Sequence, residues 1–419
     1  MNPVGSREAA SGERISPRIP HAPDLFDKCR RYERLRIVRE AGVYPYFKAF
    51  SMNGNGHPTC EGRPIVMAGS NNYLGLTQHV KVKEACRAAV ERYGSSCTGS
   101  RFLNGTIDLH EELEARLARF SGKEAAIVFS TGYQTNLGVI SCLVGKDDYV
   151  FCDRENHASI IDGCRLSFGT LKKYRHGEAE DLDRVMQATL DKEDEGGFLV
   201  VTDGTFSMTG RIVDLPRIAA VSRRFGARLL LDDAHGIGVL GAGGRGTAEH
   251  FGLLGEVDLL MGTFSKSFAS LGGFIAGSRE VLDYVQHTAR SLMFSASMTP
   301  ASVAAVLAAL DIIETEPERR ERLWAITGHM KAAFDSMGFD TAGSQTPVIP
   351  VVIGEDLRTM DFWKRLFREG VYVNAIVPPA VPSGCSLLRT SYMATHTDEE
   401  LNRILDAFAK VGREMGVIA

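Results

Sequence analysis

The 419-residue chain has no apolar run approaching the ~18–20 residues that a membrane-spanning helix needs. Its longest candidate, Val303 to Leu310, is alanine-rich and stops at Asp311. No transmembrane segment is therefore expected, which leaves only peripheral membrane contact open. Dense Lys/Arg blocks are also missing, and 48 basic against 52 acidic residues give a net charge of −4. A chain of that balance is not expected to bind nucleic acid. Its eight cysteines, at 29, 60, 86, 97, 142, 152, 164 and 385, form no CxxC pair. They read as scattered free thiols of a reducing compartment, and no metal site is expected. The first twenty residues lack the apolar core of a signal peptide. They are expected to be a loose tail, and the protein is expected in the cytoplasm. Internal repeats and low-complexity segments are absent.

What is present is the composition of a globular protein, 44% hydrophobic and 24% charged, with length for a large domain and a smaller one. Asp24 to Ala41 reads as a charged helix after the tail, Arg63 to Met67 as a strand, and Val80 to Tyr93 as a second helix. Leu109, Leu113, Leu117 and Phe120 share one face of a third, which Asp108 is expected to cap. Between these last two helices lies a small-residue loop, residues 94–106, of a length that is usually functional.

From Ala125 onward short apolar runs alternate with helical ones. Ala126–Phe129, Tyr149–Phe151, Phe198–Val201, Leu229–Leu231 and Val257–Met261 are continuous rather than alternating, the mark of strands buried on both faces. Helices over 179–190 and 215–225 separate some of them. The expected fold is α/β, a mostly parallel doubly wound sheet, in which function gathers beyond the carboxyl ends of the strands. After residue 300 a helical stretch, strands at 348–353, 371–374 and 387–391, and a terminal helix over 398–415 suggest a smaller α+β domain. The expected boundaries are 1–60 for tail and helix, 61–300 for the large domain and 301–419 for the small one.

Each strand end delivers polar groups. Ser130-Thr131-Gly132-Tyr133 opens a helix, where free backbone N–H groups suit an anion. Asp153 to Ser159 includes His157, Asp203 to Gly210 includes Ser207, and Asp232-Asp233-Ala234-His235-Gly236 follows. The fifth is Gly262-Thr263-Phe264-Ser265-Lys266-Ser267. A lysine partly desolvated at a strand mouth loses basicity and can form a Schiff base. A phosphorylated aldehyde such as pyridoxal phosphate needs this set: a lysine for a covalent imine, a carboxylate for its ring nitrogen, an aromatic face and phosphate donors. Lys266, Asp232 and His157 fill the first three roles. His235 and Ser207 would meet the ring oxygen, and Gly132, Tyr133, Thr263 and Ser265 the phosphate. Gly236-Ile237-Gly238-Val239-Leu240-Gly241 matches the dinucleotide spacing GxGxxG. It follows Asp-Asp-Ala-His and meets further glycines at 243, 244 and 246, so no helix starts promptly and the dinucleotide reading is set aside.

The motifs Ser-Thr-Gly-Tyr, Asn-His-Ala-Ser, Asp-Asp-Ala-His-Gly and Gly-Thr-Phe-Ser-Lys-Ser together resemble those of the α-oxoamine synthases, from about residue 30 onward. These fold-type I pyridoxal-phosphate enzymes condense an amino acid with an acyl-CoA and release carbon dioxide. The resemblance implies that Lys266 carries the cofactor and acts as base, that Asp232 partners the ring nitrogen, and that His157 stacks on the ring. It implies a homodimer with shared sites, in which Ser295 and Ala296 reach the partner's phosphate. Within the family, residues 99–106, 371–374 and 412–418 most resemble the bacterial serine palmitoyltransferases, which implies L-serine and a long-chain acyl-CoA as substrates. Ser100 stands where aminolevulinate synthases tend to carry threonine. Arg389, Asn72 and Ser100 are the candidate substrate contacts. Val377 departs from the arginine that some bacterial relatives place before the Pro-Pro pair. Alanine- or glycine-using members of the family, and a non-catalytic partner subunit, stand as the alternative readings.

Overall fold

The computed structural model describes residues 23–52, 58–191 and 196–419. Residues up to Tyr44 and residues from Pro45 onward are two separate compact units. In the first, the charged helix expected over 24–41 is two short ones, Asp27–Arg30 and Glu33–Glu40.

The centre of the second unit is a seven-stranded sheet. Its strands are β1 (Ala125–Phe129), β2 (Tyr149–Asp153), β3 (Thr170–Tyr174), β4 (Phe198–Asp203), β5 (Arg228–Asp232), β6 (Leu259–Thr263) and β7 (Gly273–Gly277). Their spatial order is β1-β7-β6-β5-β4-β2-β3. The continuous apolar runs form strands because both faces are covered. Val150, Cys152, Val201 and Leu230 pack into one core. Their alternates Tyr149, Phe151, Val200, Leu229 and Leu231 pack into another, on the opposite face. Four of the expected strands extend to a polar terminus, so that Asp153, Asp203, Asp232 and Thr263 are the last residues of β2, β4, β5 and β6, while β1 ends at Phe129.

Two strands of this sheet were not expected. β3, Thr-Leu-Lys-Lys-Tyr, lies at the sheet edge and is only partly buried, which is why it lacks an apolar run. β7 is the glycine-broken segment, and it runs antiparallel between β1 and β6, making the sheet mixed. Its glycine is steric: a Cβ on Gly273 would lie 2.6 Å from the Cα of Gly132. The strand therefore brings the helix-opening turn against the end of β6.

The helices over Val80–Tyr93 and Ala179–Leu190 stand as expected, and 215–225 ends at Arg224. Asp108 is not the cap of its helix. Ile107 is, and the Asp108 carboxylate instead accepts from Tyr93 at 2.6 Å. The stretch after Pro300 breaks into Pro300–Thr315 and Glu318–Met337 around Pro317. Strands Val348–Gly354, Ser386–Ser391 and Asn374–Ile376 form an antiparallel sheet. One apolar core draws on residues from both sides of residue 300, from Cys60 to Val411. Ser391 also donates its N–H to Ala68, at 2.9 Å, which ties the segment before Asn71 to the strand carrying Arg389.

The glycines of the GxGxxG match have packing roles. A Cβ on Gly236 would lie 1.9 Å from a carboxylate oxygen of the buried Asp233. Gly238 has φ +81° and faces Ser267, which a Cβ there would approach to 2.5 Å. Gly238→Ala should therefore cost about 2–4 kcal/mol, from left-handed strain and overpacking together. Gly226→Ala, at φ +65° with nothing within 4 Å of the added carbon, should cost about 1 kcal/mol. Thermal unfolding of the two variants tests this, and equal shifts would contradict it.

Candidate active site

All five polar strand ends converge on one cavity. Lys266 lies just past β6, half-buried at a cavity of about 250 Å³. Gly132, Tyr133, His157, Ser207, Asp232, His235, Thr263 and Ser265 line the same cavity. So do three residues to which no role was assigned from sequence, Asn136, Ser159 and Asp203.

Asp232 is held from two sides. Its Oδ2 accepts from Asn136 Nδ2 at 2.6 Å and its Oδ1 from the backbone N–H of Ala234 at 3.0 Å. Asn136 also donates to Ser159 Oγ at 2.9 Å. A buried carboxylate is tolerable only when its lone pairs are met in this way. Asparagine at 136 interrupts an otherwise apolar helix face, and that was the available signal in the sequence. His157 caps the helix Ala158–Leu166, its Nδ1 accepting from the N–H of Ser159. The N–H of His157 donates to Asp203 Oδ2 at 2.7 Å. Asp203 pairs in register with Asp232 on the neighbouring strand. Burial, and then the negative charge of Asp232, push the Asp203 carboxyl well above the usual carboxylate range.

Opposite the carboxylates, Thr131 caps the helix Gly132–Leu143 by accepting from Gln134 N–H at 3.1 Å. Thr263 Oγ1 and Ser265 Oγ lie 3.0 Å apart beside that helix start. Only glycine fits at 132, where a Cβ would stand 2.6 Å from Thr263 Oγ1. The turn thus presents backbone donors and hydroxyls together, as an anion site requires. The Tyr133 hydroxyl is engaged elsewhere, by Asp162, and its ring meets His157 edge-on at 6.2 Å.

The remaining candidates lie outside the cavity. Arg389 is buried, donating from Nε to the carbonyl of Ser207 at 2.5 Å and from Nη2 to Asn71 Oδ1 at 2.9 Å. The asparagine beside it is therefore Asn71 and not Asn72. Asn72 points to Thr77, to which its Nδ2 donates at 2.9 Å. Ser100 forms a backbone bridge with Ala296. Ser130 donates to the carbonyl of Ala296, and Gln134 Nε2 to Ser295 Oγ at 3.0 Å. These last residues brace the helix-opening turn within their own chain. Val377 is buried.

A cavity lined by an anion cradle, a held carboxylate and a lysine fits pyridoxal phosphate. Residues 63–408 match the family of class I and II aminotransferases.

The chain belongs to that family.

It is 47% identical to the serine palmitoyltransferase of Bacteriovorax stolpii, over 92% of this chain and 91% of that one. It is 44% identical to the 8-amino-7-oxononanoate synthase of Geobacter sulfurreducens, over 92% and 98%. Among solved structures, a high-resolution serine palmitoyltransferase with pyridoxal phosphate as internal aldimine superposes with a TM-score of 0.90 at 36% identity. That superposition covers 94% of this chain and all of the other. The Sphingomonas wittichii serine palmitoyltransferase gives 0.90 at 37% identity, covering 95% and 100%. The chain is a fold-type I pyridoxal-phosphate enzyme of the α-oxoamine synthase type.

Withdrawal from water lowers the Lys266 ammonium to about 8, against the pull of Asp232 and with the help of Arg389. Its neutral, nucleophilic fraction grows as pH rises through that value. At pH 7 roughly one lysine in ten is then neutral, against a few in ten thousand for an ordinary lysine. In the cofactor-free protein, the rate of cofactor capture by Lys266 should rise between pH 7 and 8 and level off above about pH 9. Stopped-flow absorbance follows this directly. A rate still climbing tenfold per pH unit at pH 9.5 would show the lysine to be unperturbed.

Proposed function

We propose that the protein condenses L-serine with a long-chain acyl-CoA such as palmitoyl-CoA, forming 3-ketodihydrosphingosine and releasing carbon dioxide and CoA, the first step of sphingolipid synthesis. The observation that carries this reading is the single cavity in which Lys266, Asp232, His157 and the Gly132–Thr263 turn meet. The two alternatives in amino acid are supported by relatives of nearly equal identity, 47% and 44%. The sequence likeness of residues 99–106 favours serine.

Bound pyridoxal phosphate supplies an electron sink for the pair left at the amino acid Cα. Gly132 and Tyr133 offer backbone N–H groups to its phosphate, and Thr263 and Ser265 offer hydroxyls. Asp232, fixed by Asn136 and Ala234, would hold a proton at the ring nitrogen. His157, anchored by Asp203 and Ser159, would supply the flat face. Lys266, when neutral, would take the Cα proton as general base and could return it. Arg389 is the candidate for the substrate carboxylate, since guanidinium donors match carboxylate oxygens in pairs. It would act from beside Ser207 and Asn71, with Asn71 replacing Asn72 in the earlier expectation.

The protein is proposed to work in the cytoplasm as a homodimer; among the described residues no helix is long and apolar enough to cross a membrane. The Ser100–Ala296 bridge sets exposed Phe102, Leu103 and Phe294 near one another, an apolar surface of the kind a second copy covers. Sedimentation should give twice the chain mass, and a monomer at micromolar concentration would remove the shared-site reading.

CoA release, measured against serine, alanine and glycine with acyl-CoAs of several lengths, should be greatest for serine with a C16 chain. A preference for alanine with a shorter chain would move the assignment to the oxononanoate branch. Lys266→Ala should abolish both turnover and the visible band of the cofactor-bound protein. Retention of both would refute the role of Lys266.

A further inference from the structure

Tyr73 is among the largest fully buried side chains, 1% exposed, yet its hydroxyl lies 2.6 Å from Nδ1 of His235. A buried hydroxyl proton without a partner is costly, so it must find an acceptor. Three groups surround it. The Arg389 guanidinium can only donate, and it donates to the Ser207 carbonyl and to Asn71 Oδ1 while its charge bears on the phenol. Asn71 Oδ1 can only accept, but it is 3.5 Å away and already accepts from Arg389 at 2.9 Å. His235 Nδ1 can do either, depending on its tautomer.

The geometry decides between the two tautomers. Were Nδ1 protonated, it would donate to the phenolic oxygen, and the phenolic proton would be left with the 3.5 Å contact, at the limit of a hydrogen bond. With Nδ1 unprotonated, the phenolic proton is met along the 2.6 Å bond. Burial, Lys266 and Arg389 together push His235 well below the usual imidazole range, so the ring carries one proton.

We propose that Tyr73 is a positioning residue that fixes the tautomer of His235, placing the ring proton on Nε2 and making that nitrogen a donor to the cavity that His235 lines. The inference rests on the pyridoxal-phosphate reading of the cavity, where a donor from His235 would meet the ring oxygen. Tyr73 thereby links the carboxylate-binding arginine to the cofactor side of the site without touching either substrate or cofactor. The role is that of the orienting partner seen wherever a second group sets which imidazole nitrogen carries the proton.

The test is nitrogen NMR of protein labelled with 15N-histidine, both free and loaded with pyridoxal phosphate, with the His235 signals identified by their loss in His235→Asn. The expected spectrum has Nδ1 unprotonated and Nε2 protonated. Tyr73→Phe keeps the ring volume and removes only the hydroxyl. It should shift His235 toward a mixture of tautomers, move the visible band of the loaded protein, and lower kcat/KM by about tenfold, the worth of one positioning hydrogen bond. A wild-type spectrum with the proton on Nδ1, or Tyr73→Phe with unchanged His235 nitrogens, overturns the proposal. If the variant does not fold, the wild-type spectrum alone decides. A wild-type protein without a visible band would defeat the cofactor reading instead, and the tautomer in the free protein would still be readable.

Discussion

A lysine withdrawn from water faces two carboxyl groups across the mouth of a parallel sheet, and the architecture of the site follows from that confrontation. An isolated ammonium there would pay a heavy desolvation cost, and so would an isolated carboxylate. Together they share the penalty, and a hydrogen-bonded shell supplied by Asn136, Ala234 and the N–H of His157 meets the remaining lone pairs. The lysine emerges with its basicity reduced, to about 8, and Asp203 with its acidity suppressed. Perturbations of opposite sense within one cavity are what a proton-transferring site requires.

The parallel sheet makes the confrontation possible. β4, β5 and β6 are adjacent and parallel, so their carboxyl-terminal residues end on one rim. β7 runs against them and carries glycine where the helix-opening turn must approach, which closes the anion end of the cavity. The C-terminal antiparallel sheet then brings Arg389 to the back of Ser207, and the Ser391–Ala68 hydrogen bond carries Asn71 and Tyr73 into place beside it. Substrate-side and cofactor-side polar groups are thus joined through buried contacts between distant parts of the chain.

Membership of a family does not by itself choose a substrate. The relatives at 47% and 44% identity carry different names. The residues that hold the cofactor are of a kind that every member needs, because they answer to the chemistry of the ring and its phosphate.

The sequence alone determined the large fold class and most of the cofactor cavity. Continuous apolar runs mark strands covered on both faces, and each run was followed by the polar residues that the chemistry needed. It could not assign β3, whose lysines at the sheet edge break the apolar run, or β7, whose glycines look like a loop until Gly132 is seen lying against them. It named Asn72 where the structure presents Asn71, because adjacent asparagines in a turn differ only in where the backbone aims them. Asn136, Ser159, Asp203 and Tyr73 acquire their meaning from partners tens or hundreds of residues away. Such contacts are fixed by tertiary packing, which local pattern does not encode.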